Sequence, residues 1–352
     1  MVRSNMPGMT VGEAGERQVI ARVRARVPAA PKFVVVGIGD DAAVLEPVRN
    51  RLEVVTTDAA VEGVHFDRRF MPPAAIGHRV LAANLSDLAA MGAEPRTALL
   101  SLVLPDALPL ADLDAMIEAF LALAARTGTH LVGGNVTRSP GPLVIDVTLS
   151  GAAKRRKILI RSGGRPGDEL WVSGSVGGAA AGLAWLTAHG SESVPEESAA
   201  DAVQRFLYPE PRLRLGLLAG RTRAASAAMD LSDGLADAVR QVAEASGTGA
   251  VIDPELLPIH PAVAPMTGSR EAALGMALAG GEDYELLLAV PRRAGRRFAA
   301  AARLARVEVT RIGALAPPAA GLVLRSEAGD RPIPEGFEHF RAHPVAVAGS
   351  VR

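Results

Sequence analysis

Six aspartates in this chain sit beside glycine or apolar residues, outside any charged surface run: Asp40, Asp41, Asp58, Asp87, Asp230 and Asp233. One Asp next to Gly serves a turn or a helix cap as readily as a site. Six of them at the ends of expected strands and helices form a pattern. Pooled carboxylates repel one another unless cations lie among them. Hard cations such as Mg²⁺ take oxygen donors of this kind. The richest stretch is LEVVTTDAAVEGVHF (52–66), where Thr56, Thr57 and Asp58 place two hydroxyls and a carboxylate where a strand is expected to emerge. The chemistry this points to is the handling of a polyphosphate with metal ions.

Other motifs are weaker alone. GSVGGAAAG (174–182) follows an expected strand and opens an expected helix, a place where phosphate can sit on backbone N–H groups. It is neither a Walker A loop nor a G-x-G-x-x-G fingerprint, and tight packing of small residues accounts for it equally. GGN (133–135) and GGE (280–282) read as glycine turns, each presenting one polar residue. His65 stands thirteen residues from His78, too far for a local His–His metal pair. Arg138 and Arg161 could clamp phosphate, as could others among 35 Arg. There is no G-x-S-x-G, no Cys nucleophile and no H-E-x-x-H, which removes most hydrolase classes.

The elements that must position these groups alternate along the chain. Apolar periodicity predicts helices at 13–27, 74–91, 110–127, 183–188, 213–221, from Gly234 through Ala245, and at 295–304. Within 74–91, the polar pair Ser86–Asp87 between apolar neighbours suggests a break, with Ser86 capping a new turn. Strands are expected at 33–36, from 52 onward, and at 99–104, 143–149, 169–173, 250–252, 285–290 and 307–312. Residues 189–202 read as an exposed loop. NLSDLAAM (84–91) and DLSDGLAD (230–237) resemble each other, and each is expected to place Ser and Asp at the mouth of a helix. The fold class is therefore α/β.

Length and composition bound the rest. A chain of 352 residues, 49% hydrophobic, can build two domain cores. The boundary is expected in the basic, glycine-rich segment GAAKRRKILIRSGG, giving domains 1–152 and 153–345. No run approaches a membrane span, and the first residues lack a signal-peptide apolar region, so a cytoplasmic protein is expected. Lys+Arg and Asp+Glu are both 38, which offers nothing to nucleic acid or an acidic membrane. Zero Cys excludes disulfides and thiolate metal sites. With three Lys, any Lys chemistry has few candidates.

Taken in order, GIGDDAAV (37–44), TTDAAVEGVHF (56–66), NLSDLAAMGAEP (84–95), GGNVTRS (133–139), RSGGRPGDELWVSG (161–174), DLSDGL (230–235) and GGEDYEL (280–286) resemble the thiamine-monophosphate kinases. That family lies in the aminoimidazole ribonucleotide synthetase-like superfamily. The resemblance implies a two-domain fold whose N-terminal strands close a β-barrel across a homodimer, with an α/β C-terminal domain beside an ATP cleft. It implies that Asp41, Thr56, Thr57, Asp58, Asp87, Asp230 and Asp233 bind several Mg²⁺ ions. Asp58, Asp87 and Asp233 are the catalytic members of that set. It further implies that Gly134, Asn135, Arg161 and Ser232 contact ATP, and that His65, Glu282 and Phe337 contact thiamine monophosphate. The implied reaction is direct in-line phosphoryl transfer giving thiamine diphosphate.

The acceptor is itself an ionised phosphate, so no general base is needed. The task is to align two mutually repelling anions and neutralise charge, which metal ions do. The chain departs from the family pattern at Asn135, where a metal-binding Asp is usual. It also departs at Phe206, where a His is usual, and at Ala238, where an Asp is usual. Asn135 motivates two rivals: a divergent ATP-dependent synthetase, and a non-catalytic nucleotide-binding homodimer.

Overall fold

Alternation of apolar and polar residues separates two kinds of sheet in this chain. The computed structural model describes residues 8–190, 193, 195–327 and 329–334. Helices α1 (Val11–Ala14) and α2 (Glu16–Arg26) precede an antiparallel pair, β1 (Val34–Val36) and β2 (Val44–Leu45). A four-stranded sheet follows, built from β3 (Leu52–Val61), β4 (Glu94–Pro105), β5 (His130–Ser139) and β6 (Val144–Ala153) in the order β3-β6-β4-β5. Only β4 and β5 pair in parallel. Burial alternates along β4 and β6, so one face packs on helices and the other stays open.

The packed face meets α3 (Pro73–Ala90) and α4 (Leu110–Thr127), with Leu81, Leu85, Leu102, Ile145 and Leu149 in one core. Fourteen of the 18 residues of α3 are buried, because it touches β3 and β6 on one side and α4, α7 and β8 elsewhere. A helix covered on nearly every side is largely apolar, and His78, Arg79, Asn84 and Ser86 are its buried polar exceptions. Its close contacts need glycine: a Cβ on Gly77 would lie 1.9 Å from the Met116 carbonyl oxygen.

The C-terminal half holds a seven-stranded sheet in the order β13-β12-β9-β11-β7-β10-β8. Its strands are β7 (Glu169–Ser173), β8 (Ala227–Asp230), β9 (Gly249–Ile252), β10 (Leu286–Val290), β11 (Val309–Ala316), β12 (Leu322–Ser326) and β13 (Gly329–Pro332). Only β9 and β12 are parallel. The helices are α5 (Gly178–His189), α6 (Glu197–Leu207), α7 (Leu213–Thr222), α8 (Leu235–Ser246), α9 (Val263–Thr267), α10 (Arg270–Ala279) and α11 (Gly295–Ala305). All five residues of β10 are buried. Leu287 and Ala289 join the core under α8, whereas Leu286, Leu288 and Val290 join the core under α7 and α11. Helices cover both faces, so this sheet reads as a continuous apolar run. The whole is a two-domain α/β fold with mixed sheets.

Four local expectations are corrected. Thr56, Thr57 and Asp58 lie in the middle of β3, not at its end, because all ten residues pair with β6. An edge strand open on one face carries polar residues without stopping. Helix α3 runs through Ser86 unbroken, since the Ser86 hydroxyl donates to Asp230 and not to its own backbone. Residues 133–135 belong to β5, beside a bulge that skips Val132, and form no turn. Part of the expected loop at 189–202 is α6, whose Ala199, Ala202 and Phe206 are buried.

α7 closes on α3 through Gly216, whose Cβ would meet the Ala89 carbonyl oxygen at 1.9 Å. Relief requires moving one backbone off the other. Gly216→Ala is expected to lower stability by about 2–3 kcal/mol in urea unfolding.

Candidate active site

The C-terminal part of α3 lies against the end of β8, and the two domains enclose a cavity of about 370 Å³ there. Four aspartates line it from four elements: Asp58 in β3, Asp87 in α3, Asp230 at the end of β8, and Asp233 in the turn before α8. Thr56 Oγ1 donates to Asp87, and Ser86 Oγ donates to Asp230 at 2.8 Å. Of two adjacent residues of α3, Ser86 thus holds the carboxylate of Asp230 from the other domain, and Asp87 is itself held by Thr56 of β3. Ser232, His65 and Glu282 line the same cavity, with His65 Nδ1 accepting the Val61 N–H at 3.1 Å.

The electrostatics follow from crowding. Asp230 is 3% exposed, and burial pushes its carboxyl up to about 7, with Asp87 and Asp58 adding like charge. Asp58 is pushed up to about 6 by desolvation in the cleft, then by Asp87, Asp146 and Asp233, although it keeps an exposed surface. Burial raises Asp87 too, opposed by its bond from Thr56 and by Arg161. The Arg161 guanidinium donates to Gln241 Oε1 at 2.5 Å and remains close enough to favour both charged forms. These donors are all oxygen, and their charges oppose one another, which suits a hard cation. Among the described residues no three of His, Cys, Asp and Glu are gathered into a ready-made metal cage.

Side-chain alternation along β3 divides the expected metal set. Thr56 and Asp58 face α3, whereas Thr57 turns to the open face of the sheet, 3.0 Å from the Thr148 hydroxyl. That open face borders a second cavity of about 1010 Å³, lined by Asp41, Gly134, Asn135, Asp146 and Thr148. Asp41 is exposed there, its N–H bonded to Asp40. Gly134 and Asn135 lie with it, apart from Asp87 and Asp230. Phe337 lies outside the described residues.

Two functional candidates escaped the motif reading. Asp146 shares a sheet row with Asn135, since both pair with Ser101, and it acts on Asp58 through charge. Its signal was an acid within the apolar run PLVIDVTLSG. Arg79 is buried and ion-paired with Glu282 in the first cavity. Its signal was the spacing of Arg79, Ala83 and Asp87 on one helix stripe.

The glycine-rich segment 174–182 is not an open anion site. The Asp283 carboxylate accepts the N–H groups of Gly177 at 2.6 Å and Ala179 at 2.9 Å, filling the N-terminus of α5. Burial pushes Asp283 up to about 7 even so. Gly182 packs on α6, where a Cβ would lie 2.2 Å from the Ala202 carbonyl oxygen.

Raised carboxyls have a defined effect on stability. Below about pH 4 both folded and unfolded chains are protonated at Asp230, so it contributes nothing. Between about 4 and 7 the unfolded chain ionises first, and a penalty grows that is complete above 7. Asp230→Asn is therefore expected to stabilise the metal-free protein at pH 8 by on the order of 1–2 kcal/mol, with little effect at pH 4. Thermal melts at the two pH values check this.

Comparison with known proteins places the chain in a family. Residues 39–153 match the model for the AIR synthase related protein N-terminal domain, and residues 165–320 match that for its C-terminal domain. The thiamine-monophosphate kinase of Salmonella typhimurium is 40% identical over 278 residues, covering 79% of this chain and 83% of that protein. The crystal structure of thiamine-monophosphate kinase from Stenotrophomonas maltophilia superposes with a TM-score of 0.77 at 36% identity, covering 89% of this chain and 96% of that one. A complex of AaThiL with AMPPCP and TMP superposes with a TM-score of 0.70 at 30% identity, covering 92% and 99%. The chain belongs to the thiamine-monophosphate kinase family of AIR synthase related proteins.

Proposed function

We propose that this chain transfers the γ-phosphoryl group of ATP to the phosphate of thiamine monophosphate, giving thiamine diphosphate and ADP. The observation that carries the reading is the joining of Asp58, Asp87, Asp230 and Asp233 in one interdomain cavity with His65 and Glu282. It is supported by family membership and by a relative's complex with AMPPCP and TMP.

An acceptor phosphate oxygen attacks the γ-phosphorus while the bond to the β–γ bridging oxygen breaks, and ADP leaves with that electron pair. Asp58, Asp87, Asp230 and Asp233 would hold Mg²⁺, which supplies charge neutralisation for the donor and acceptor phosphates. Buried Asp230 and the packed α3 fix where that charge is presented. Ser232 and Arg161 border the nucleotide, and apolar lining such as Val64, Phe66 and Leu183 excludes water around the acceptor rings. Gly134, Asn135 and Asp41 contribute from the second cavity.

We further propose that a second copy of the chain covers that cavity and closes the barrel. Val55 is 63% exposed and Leu99 43% exposed on the open sheet face, an apolar surface that favours burial. We place the reaction in the cytoplasm, where ATP is available. No described helix is long and apolar enough to cross a membrane.

The test is purified protein with Mg-ATP and thiamine monophosphate, followed for ADP and thiamine diphosphate. Formation of thiamine diphosphate is expected; its absence at high enzyme and Mg²⁺ would sink the kinase reading, and ATP binding without turnover would favour a non-catalytic nucleotide binder. Asp58→Asn is expected to cut turnover by about 10³-fold or more. Asn135→Asp is expected to leave turnover unchanged or lower the Mg²⁺ requirement, and Asp146→Asn to raise it. An opposite shift at either position would show that these residues do not share the charge of one ion.

A further inference from the structure

The first cavity has two ends, and α3 spans the distance between them. Arg79, Ala83 and Asp87 line it at intervals of four residues, so Arg79 stands roughly 12 Å along the helix axis from Asp87. One end gathers the aspartates. The other is built around a buried cation. Arg79 is 5% exposed, with its guanidinium carbon 4.4 Å from the Phe206 ring centroid and 5.8 Å from that of Tyr284. Nη1 donates to the Phe206 carbonyl, and Nη2 is ion-paired with Glu282 Oε1.

Glu282 occupies the opposite position in this pair. Its side chain keeps 29% of its surface exposed and lines the cavity. Its backbone is left-handed, φ +70°, and its N–H donates to the Ser232 carbonyl at 2.6 Å. A glutamate holds that conformation against strain, so surrounding contacts must fix it. The adjacent guanidinium, buried and itself bonded to the Phe206 carbonyl, fixes the direction of the Glu282 carboxylate.

We propose that Arg79 is a positioning residue that keeps Glu282 aimed into the cavity, where Glu282 accepts a hydrogen bond from the aminopyrimidine ring of the acceptor. This rests on thiamine monophosphate as the acceptor. With its phosphate among the aspartates, the molecule extends along the α3 stripe past Ala83 toward Glu282. Ile76, Val80, Ala180 and Leu183 also line the cavity, suiting ring faces. The aminopyrimidine is the end of the acceptor farthest from the phosphate. It carries the exocyclic N–H₂ donor that a fixed carboxylate matches. Arg79 does not touch the ring; it sets the direction of the group that does.

The experiment is calorimetric titration of the full chain with two ligands: thiamine monophosphate, and phosphorylated hydroxyethylthiazole, which lacks the pyrimidine. Arg79→Met and Glu282→Gln are each expected to weaken thiamine monophosphate binding roughly tenfold to a hundredfold. Binding of the truncated ligand should change by no more than about twofold. The double variant should lose little beyond Glu282→Gln alone, because one residue acts through the other. ATP binding by each variant confirms that it folds, and Arg79→Lys, which keeps the charge, serves if Arg79→Met does not fold. Equal losses for both ligands, or additive losses in the double variant, overturn the proposal. A variant that binds like wild type overturns it while leaving the acceptor assignment standing. Failure of wild type to bind thiamine monophosphate removes that assignment and this proposal together.

Discussion

Carboxylates that repel one another are held together here before any cation arrives, and the arrangement of both domains serves that constraint. Asp87 and Asp230 approach from opposite domains, with Thr56 bonded to one and Ser86 to the other. Two hydroxyl groups cannot offset the repulsion of several charges in a low-dielectric cleft. The resisting force is packing: α3 is buried on nearly every side, and β8 is buried at all four residues. Moving Asp87 away from Asp230 would mean sliding a close-packed helix past backbone carbonyls at Gly77 and Gly216. Burial raises the proton affinities of Asp58, Asp87 and Asp230, and neighbouring carboxylates raise those of Asp58 and Asp230 further.

The edge strand β3 shapes how the charge is distributed. Its period of two sends Thr56 and Asp58 toward α3 and Thr57 toward the open sheet face, so one polar tripeptide serves two cavities. Asp146, one strand away, faces the second cavity yet raises the proton affinity of Asp58. The two cavities are therefore electrically coupled through a single strand. An uncharged Asn135 in the row of Asp146 does not leave that row without an acid.

What was legible in the sequence followed from chemistry that needs no partner to be recognised. Asp58, Asp87, Asp230 and Asp233 stood out because acids among apolar residues are expensive, and they do share one cavity. The alternating elements and most of their limits followed from periodicity. Ser86 was misread because its bond is to Asp230, 144 residues away, and local pattern treats such a serine as a cap. The resemblance put Asp41 and Thr57 in one metal set with Asp58; that Asp41 lines the second cavity and Thr57 takes the open sheet face is set by tertiary structure, which sequence order does not carry. Arg79 was hidden among 35 arginines, and its distinction is burial against Phe206 and Glu282, which only tertiary structure creates.

The filled N-terminus of α5 bears on the kind of chemistry the fold can do. A glycine-rich strand-to-helix turn ordinarily binds phosphate with backbone N–H groups. Here Asp283 occupies those N–H groups from within, buried and bonded at Gly177 and Ala179. The segment is thereby turned into a structural joint that anchors the 280–286 loop, and with it Glu282, to the C-terminal domain. On the proposed function, phosphate recognition falls to the acid-lined interdomain cavity, where an anion would bind together with cations. A chain with three lysines and no Walker loop loses nothing by this. When both substrates are phosphates, recognition through shared cations aligns donor and acceptor in one event, which a cradle for one phosphate alone does not do.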